Sequence, residues 1–410
     1  MPWFSAILRF LAGAFALASL AVLAVWVLSR LITDRFAYSQ YLFWVPSHFF
    51  LLLAAGLLLL ALPLRLKNWN SPNLALRGRT PVWAARLLLL TVIANALAAL
   101  AYAGLEVRLL NAVWPTAAQP QRSVRLVGWN LTTIDAWEYG RSFATLTPSG
   151  TGAEARPDAL FLTTTQRRAP LQAAVAGLGP DYSISAVGPF TVVSRLPLLA
   201  PQGSIALPVD FSDGATRGLD PTISQADRLQ LENFYNRWAD RLGFSRREFH
   251  PLANASVSWV TLDTTAQLGR PVVVWMLDLP SDPFRFRWRS AVAVAVQLRR
   301  LAASGGAPPA PDLVIGDFNT PRGSASIDHI LTAARALPAG PQPAGRPAPG
   351  ELTHAFNHAG WGLPATWPRA TPLLHIDHCY LAPWLRASQY HILRPLISDH
   401  NAQYVEITPR

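Results

Sequence analysis

Apolar positions follow two regimes along the chain. Up to about residue 105 they run almost unbroken for some twenty positions at a time. Beyond about residue 120 they come in short bursts between Gly, Pro, Asn and Asp. The first regime suits a bilayer. Phe10–Ser29, flanked by Arg9 and Arg30, carries no charge, and its length reaches the ~20 residues that cross a hydrocarbon core of ~30 Å. A second run lies at 41–64, with Trp44 placed as an interfacial anchor. A third lies at 87–105, with Asn95 in its middle; an amide at that depth calls for a partner inside the bundle. Three such runs in succession exceed what a cleaved signal peptide explains. The pattern predicts a membrane domain over 1–110, with transmembrane helices at about 10–29, 41–64 and 87–105.

The second regime predicts a linker at 111–122 and an α/β domain over 123–410. Val124–Leu131, Ala159–Leu162, Thr191–Ser194, Val257–Asp263, Val272–Leu279, Leu313–Gly316, Ile376–Leu381 and Gln403–Ile407 are short, β-branched and bounded by turns, so they read as strands. Several are apolar throughout, as strands buried on both faces are. Ser224–Leu242 reads as an amphipathic helix with Leu231, Tyr235, Trp238 and Leu242 on one face. Arg285–Ala303 has some alternation, but its length favours a helix. The Pro/Gly/Ala-rich stretches 305–311 and 337–350 are too poor in bulky side chains to pack a core. Interleaved strands and helices imply mixed sheets.

Charge changes this picture little. The net +11 comes from 35 basic and 24 acidic residues. Residues 1–104 hold eight of the basic ones against Asp34 alone, leaving 27 against 23 in the rest. The soluble part is therefore only mildly basic, which is no signature of nucleic-acid binding. The loop from Arg65 to Arg86 has five basic residues and no acid. Positive-inside bias puts that loop in the cytoplasm, so the third helix exits outward and the soluble domain is extracytoplasmic. A single cysteine, Cys379, excludes an internal disulfide and a Cys-based zinc site.

Candidate chemistry sits at the ends of the predicted strands. Val127-Gly-Trp-Asn130 ends the first. Ile315-Gly-Asp-Phe-Asn319 ends a later one, and strand alternation would aim Asp317 and Asn319 to one side. His375-Ile-Asp377 opens a strand, Thr366-Trp-Pro368 precedes it, and Ser398-Asp-His400 leads into the last strand. Each stretch alone fits a turn or a helix cap, but their order and number point to one site.

This set resembles the endonuclease/exonuclease/phosphatase superfamily. The resemblance rests on Gly-Asp-Phe-Asn at 316–319, Ile-Asp-His at 376–378, Ser-Asp-His at 398–400 and Ser194-Arg-Leu-Pro197. It implies a DNase-I-like fold: a four-layer sandwich of two mixed β-sheets flanked by helices, preceded here by the three membrane helices. It also implies roles. Asp317 would align or deprotonate the attacking water, with Asn319 beside it. His400 would donate to a phosphoryl oxygen, with Asp377 fixing its ring. Asp399 and Asn130 would complete the metal and phosphate environment. Oxygen donors imply Mg²⁺ or Mn²⁺ rather than zinc.

Two positions depart from the family pattern. Its second motif ends in Gln-Glu, where the glutamate is the principal metal ligand; here Thr164 takes that place. A family histidine is replaced by Asp278 at the end of Val272–Asp278. If the strand ends converge, Asp278 could restore the missing charge as a metal ligand. The cations Arg285, Arg287 and Arg289 follow, and Arg289 is the candidate substrate contact. The resemblance thus implies a membrane-anchored, metal-dependent phosphoesterase with a degenerate metal site. Its substrate would carry phosphate, as a nucleic acid or a phospholipid headgroup does. The alternative is a weakly active or inactive phosphate-binding module tethered to the bilayer.

Overall fold

The computed structural model describes residues 2–69, 82–114, 122–131, 143, 145–146, 156–163, 171–172, 175–176, 178–207, 255–281, 286–337, 350–395 and 397–410. Thr164, the predicted helix 224–242 and most of the 205–255 insertion lie outside these residues, as does Arg285. The chain divides into two compact units, Met1–Leu109 and Leu110–Arg410.

The first unit is helical. Its helices are Pro2–Ile32, Ala37–Trp44, Ser47–Trp69 and Val82–Ala101, the last continuing as one π-helical turn, Tyr102–Glu106. Three segments are long and apolar enough to cross a membrane: Ala6–Ile32, Ser47–Leu64 and Trp83–Glu106. The second begins later than the hydropathy run implies. Pro46 separates it from Ala37–Trp44, because proline lacks the N–H that would continue a helix. Large apolar side chains such as Leu52, Leu59, Leu89 and Leu100 face outward. Polar groups pair inward instead. Asn95 Nδ2 donates to Ser19 Oγ at 3.0 Å and to the Thr91 carbonyl at 2.9 Å. Ser19 Oγ donates to the Ala54 carbonyl at 2.8 Å. Asn95 therefore has its partner in the bundle.

The second unit is built on two six-stranded mixed sheets. The first contains β1 (Val124–Asn130), β2 (Ala159–Thr163), β3 (Ser183–Val187), β4 (Phe190–Ser194), β11 (Leu385–Leu393) and β12 (Ala402–Pro409). Its order is β11-β12-β1-β2-β4-β3. The second contains β5 (Leu198–Leu207), β6 (Ala255–Leu262), β7 (Val272–Asp278), β8 (Leu313–Asp317), β9 (Thr353–His354) and β10 (Asp377–Leu381). Its order is β5-β6-β7-β8-β10-β9. β1 runs parallel to β2 and β7 parallel to β8; the other pairings are antiparallel.

Period-two alternation divides the strand residues between faces. Leu126, Phe161, Met276, Ile315, Cys379 and Val405 meet in the core between the sheets. Leu277, Val314 and Tyr380 face outward and pack under the helices Arg287–Ala303 and Ala325–Arg335. Val127, Trp129, Leu160 and Leu162 face the other way, beneath Phe143, Leu171 and Val175. This is the four-layer, DNase-I-like sandwich.

Four strands escape the hydropathy pattern. β3, β5, β9 and β11 are edge or near-edge elements with exposed or half-buried polar positions. Their sequences lack the continuous apolar burst of a central strand.

Candidate phosphoester site

Extending the inward-facing rows by one step shows how the site arises. Asn130 follows Leu126 and Gly128 on β1, and Thr163 follows Phe161 on β2. Asp278 follows Met276 on β7, Asp317 follows Ile315 on β8, and Asp377 precedes Cys379 on β10. All five thus sit at one rim of the sandwich, on the side between the sheets. Register agrees: Asn130 pairs with Thr163, Asp278 with Asp317, and Asp377 with Asp317.

Two glycines let these rows converge. A Cβ on Gly128 would lie 2.7 Å from the Ile315 side chain, so only glycine lets β1 approach β8 this closely. Gly316 has φ +147°, and a Cβ there would collide with the Leu277 carbonyl. The glycine of Gly-Asp-Phe-Asn is therefore demanded by backbone geometry.

Asp317 is buried and held on both oxygens. Asn130 Nδ2 donates to Oδ2 at 2.6 Å, and the Asn319 backbone N–H donates to Oδ1 at 2.8 Å. Asn319 lies beyond the strand with φ +47°. The alternation expected to align it with Asp317 thus does not reach it; a left-handed turn brings it there instead. Its amide nitrogen donates to the Leu279 carbonyl at 2.7 Å, tying the ends of β7 and β8 together.

His400 is fully buried between acids. Its Nδ1 donates to Asp377 Oδ2 at 2.9 Å. Its Nε2 lies 3.9 Å from Asp317 Oδ2 and 4.0 Å from Asp399 Oδ1, and has no hydrogen-bond partner. Burial alone would lower the pKa of this imidazole. The charges of Asp377 and Asp317, the hydrogen bond from Asp377 and the charge of Asp399 outweigh it and raise the pKa to about 9. At neutral pH the ring is a cation with one N–H aimed into the site.

The loop carrying His400 is fixed by its neighbours. Ser398 has φ +78°; its hydroxyl donates to the Asn130 carbonyl at 2.5 Å and accepts from the His400 N–H at 3.1 Å. Trp129 Nε1 donates to the His400 carbonyl at 3.2 Å. Thr366 Oγ1 accepts from the N–H groups of Ile376 and Asp377 at 3.2 and 3.1 Å, fixing the strand that presents Asp377. Asp399 is only partly buried, and Trp367 Nε1 donates to it at 3.3 Å.

Asn130, Asp317, Asp377, Asp399 and His400 are thus brought together, with Asn319 supporting Asp317. Asp278 is half-buried beside Asp317. Arg289 lies in the first turn of the helix Arg287–Ala303, whose buried side packs on the outer face of the second sheet. Its neighbour Arg287 donates to the Pro280 carbonyl, bracing the loop after β7. Because this segment is helical, strand alternation does not select among its arginines. Sequence reasoning missed Thr163, the inward-facing residue at the tip of β2, although the parity of that strand could have found it. Its hydroxyl donates to the Trp129 carbonyl at 3.3 Å.

The donor set is one of hard oxygen atoms around a single imidazole. Asp317, Asp377 and His400 offer ligand atoms within 4.8 Å of one another. Asp377 gives Oδ2 to His400 and keeps Oδ1, and each Asp317 oxygen accepts a hydrogen bond and has a second lone pair. Asp399 and Asp278 border these two acids. One or two carboxylates with waters satisfy Mg²⁺, and Asp317 with Asp377 fits a hydrated ion. Among the described residues β2 adds only the Thr163 hydroxyl.

A family model described as the Endonuclease/Exonuclease/phosphatase family matches residues 190–400, just over half of the 410-residue chain. The chain belongs to that family. The match begins at β4, so the weakened tip of β2 lies outside it. Solved structures similar to the chain include an endonuclease/exonuclease/phosphatase family protein from Bacteroides thetaiotaomicron, at 15% identity and TM-score 0.42, over 70% of this chain and 98% of that one. Another is the mannosyl-6-phosphatase Bt3783 of B. thetaiotaomicron VPI-5482, at 14% and 0.42, over 70% and 99%. A third is humanized D. rerio TDP2, at 17% and 0.38, over 70% and 99%. Among curated proteins no match is found. Family members are phosphoester hydrolases, and the rim of this sandwich carries the corresponding acid–amide–imidazole set.

Proposed function

We propose that this family member is a membrane-anchored phosphoesterase that hydrolyses a phosphate mono- or diester outside the cytoplasm. The observation that carries the reading is His400 Nε2: buried, charged, oriented by Asp377, and without a hydrogen-bond partner. A buried N–H left unsatisfied is costly. A phosphoryl oxygen placed there would satisfy it.

In this reading a water attacks phosphorus while Asp317 takes its proton. Asn130 and the Asn319 N–H hold Asp317 in place. As the P–O ester bond breaks, negative charge grows on the phosphoryl oxygens, and the His400 cation donates to one of them. Preorganised donors in a dry site stabilise such charge strongly. A bound Mg²⁺ or Mn²⁺ at Asp317 and Asp377, bordered by Asp399 and Asp278, would supply further neutralisation of the phosphoryl oxygens. In this reading the three apolar helices anchor the domain, and the basic Arg65–Arg86 loop supports an extracytoplasmic side. Protease accessibility in sealed vesicles tests that side; protection of the domain in right-side-out vesicles would refute it.

Full-length protein in detergent is expected to hydrolyse a chromogenic phosphodiester or phosphomonoester with Mg²⁺ or Mn²⁺, and to stop when the ion is chelated. One observation favours a second reading. The sequence has Thr164 where the family uses a carboxylate, which suits a module that binds phosphate without cleaving it. Phosphate binding without turnover, under any divalent ion, would favour that module.

A further inference from the structure

Three histidines that the phosphoester site does not use come together beside β10. His354 on β9, His375 just before β10 and His378 within it are all buried. Their ring centroids lie 5.0–5.2 Å apart. One ring nitrogen from each is within 4.8 Å of one from each of the others. Phe318, Phe356, Tyr380 and Tyr390 pack around them.

The hydrogen bonds assign the ring protons. His378 Nε2–H donates to the Thr320 carbonyl at 2.8 Å, so its Nδ1 carries a lone pair, 3.1 Å from His354 Nε2. The Tyr390 hydroxyl donates to Gln403 Oε1 at 3.2 Å and therefore accepts from His375 Nε2–H at 3.0 Å. That leaves a lone pair on His375 Nδ1, buried and without a hydrogen-bond partner. His375 and His378 are thus neutral imidazoles, each with one nitrogen tied to an oxygen; the other is open in His375 and accepts from His354 Nε2 in His378. Metal-ligating histidines are arranged this way, since the outer partner fixes the tautomer.

We propose that His354, His375 and His378 form a second metal site, separate from the phosphoester site, that takes a borderline transition-metal ion such as Zn²⁺. Imidazole donors select zinc over the Mg²⁺ or Mn²⁺ suited to carboxylates. Three histidines leave the fourth tetrahedral position for water. Burial pushes His378 down to about 4 and His375 well below its ordinary value, so both are neutral ligands at neutral pH. His354 differs. Its Nδ1 accepts the Phe356 N–H at 3.1 Å, so its proton sits on Nε2. Ligation through Nε2 therefore moves that proton to Nδ1, which breaks the hydrogen bond from the Phe356 N–H, or releases it to solvent and leaves His354 an imidazolate. The Arg322 guanidinium, 4.3 Å over the Phe356 ring, repels a cation in the cluster and weakens the site.

The test uses the full-length chain in detergent, stripped with chelator and reloaded with Zn²⁺ or Co²⁺. Wild type and Asp317→Asn are expected to retain an ion that His375→Gln lacks. Co²⁺ should give intense tetrahedral visible absorption in the first two only. Tyr390→Phe keeps all three rings and removes the oxygen behind His375; zinc affinity should fall by about 10-fold or more. Arg322→Gln should tighten it. A folded wild type that binds no more zinc than His375→Gln overturns the proposal, as does zinc lost in Asp317→Asn but kept in His375→Gln. If His375→Gln fails to fold, Tyr390→Phe decides, and unchanged zinc affinity there is equally fatal.

Discussion

His400 and His378 are both fully buried near one end of β10, yet the fold holds them in opposite charge states. His400 faces Asp377, Asp317 and Asp399, and these acids overcome burial to raise its pKa to about 9. His378 faces two other histidines; burial lowers its pKa to about 4, helped by Arg322, against the Thr320 hydrogen bond and the charge of Asp377. Asp377 is common to both neighbourhoods, but only His400 donates a hydrogen bond to its carboxylate. Depth of burial therefore does not decide what a buried histidine can do. The adjacent charges do: acids keep one imidazole protonated, while burial among other imidazoles leaves the second neutral.

The comparison breaks most severely if His400 is removed. His400→Ala should lower hydrolysis by about 10²–10³-fold, the range for losing a preorganised donor to a developing oxyanion. It should leave Zn²⁺ uptake at the three-histidine centre unchanged. Asp377→Asn should have a smaller effect of the same kind. It removes the largest charge that raises the His400 pKa, so the alkaline limb of the pH–rate profile should move to lower pH. A limb that stays in place would show that Asp377 does not set the charge of His400.

The next effect is on stability, measured as melting temperature in excess chelator. His400 binds its proton more tightly folded than unfolded, so its contribution is complete below about pH 6.5, its unfolded value, and is lost as pH rises towards 9. His378 behaves in the opposite sense. Unfolded protein takes up its proton first, so stability falls as pH drops from about 6.5 towards 4. A maximum near pH 6.5 is expected. His400→Gln should flatten the alkaline side and His378→Gln should soften the acid side. If neither variant changes the shape, the opposed charge states are wrong.

These differences were unevenly legible in the sequence. The central strands were plain because both their faces are buried, which writes a continuous apolar run. β5 and β11 were not, because Pro201, Gly203, Arg386 and Gln389 interrupt strands with exposed positions. Asp317, Asp377, Asp399 and His400 stood out because they end strands or precede them in short polar stretches. His354 and His375 did not. Their meeting depends on β9 pairing with β10 and on the turn before Asp377, which no local spacing encodes. Thr163 is overshadowed in the sequence by Thr164, the position the family pattern marks, although parity on β2 aims Thr163 inward.

The smallest expected effect probes the weak rim at β2. Asn130 and Thr163 pair across β1 and β2, so this tip borders the acids on the second sheet. Mg²⁺ sites gain affinity with each added carboxylate, because the ion prefers charged oxygen over hydroxyl. The resemblance assigns the missing carboxylate to Thr164. Thr164→Glu should therefore tighten Mn²⁺ or Mg²⁺ binding, read by calorimetric titration, and lower the metal concentration needed for half-maximal hydrolysis. Thr163→Glu, placed on a buried inward row, should instead cost stability. Should Thr164→Glu leave metal affinity unchanged, the ion, where it binds, is held by Asp317, Asp377 and the bordering Asp399 and Asp278 without help from β2. Asp278→Ala would then lower that affinity in the wild-type background, as it should not if β2 carried the site.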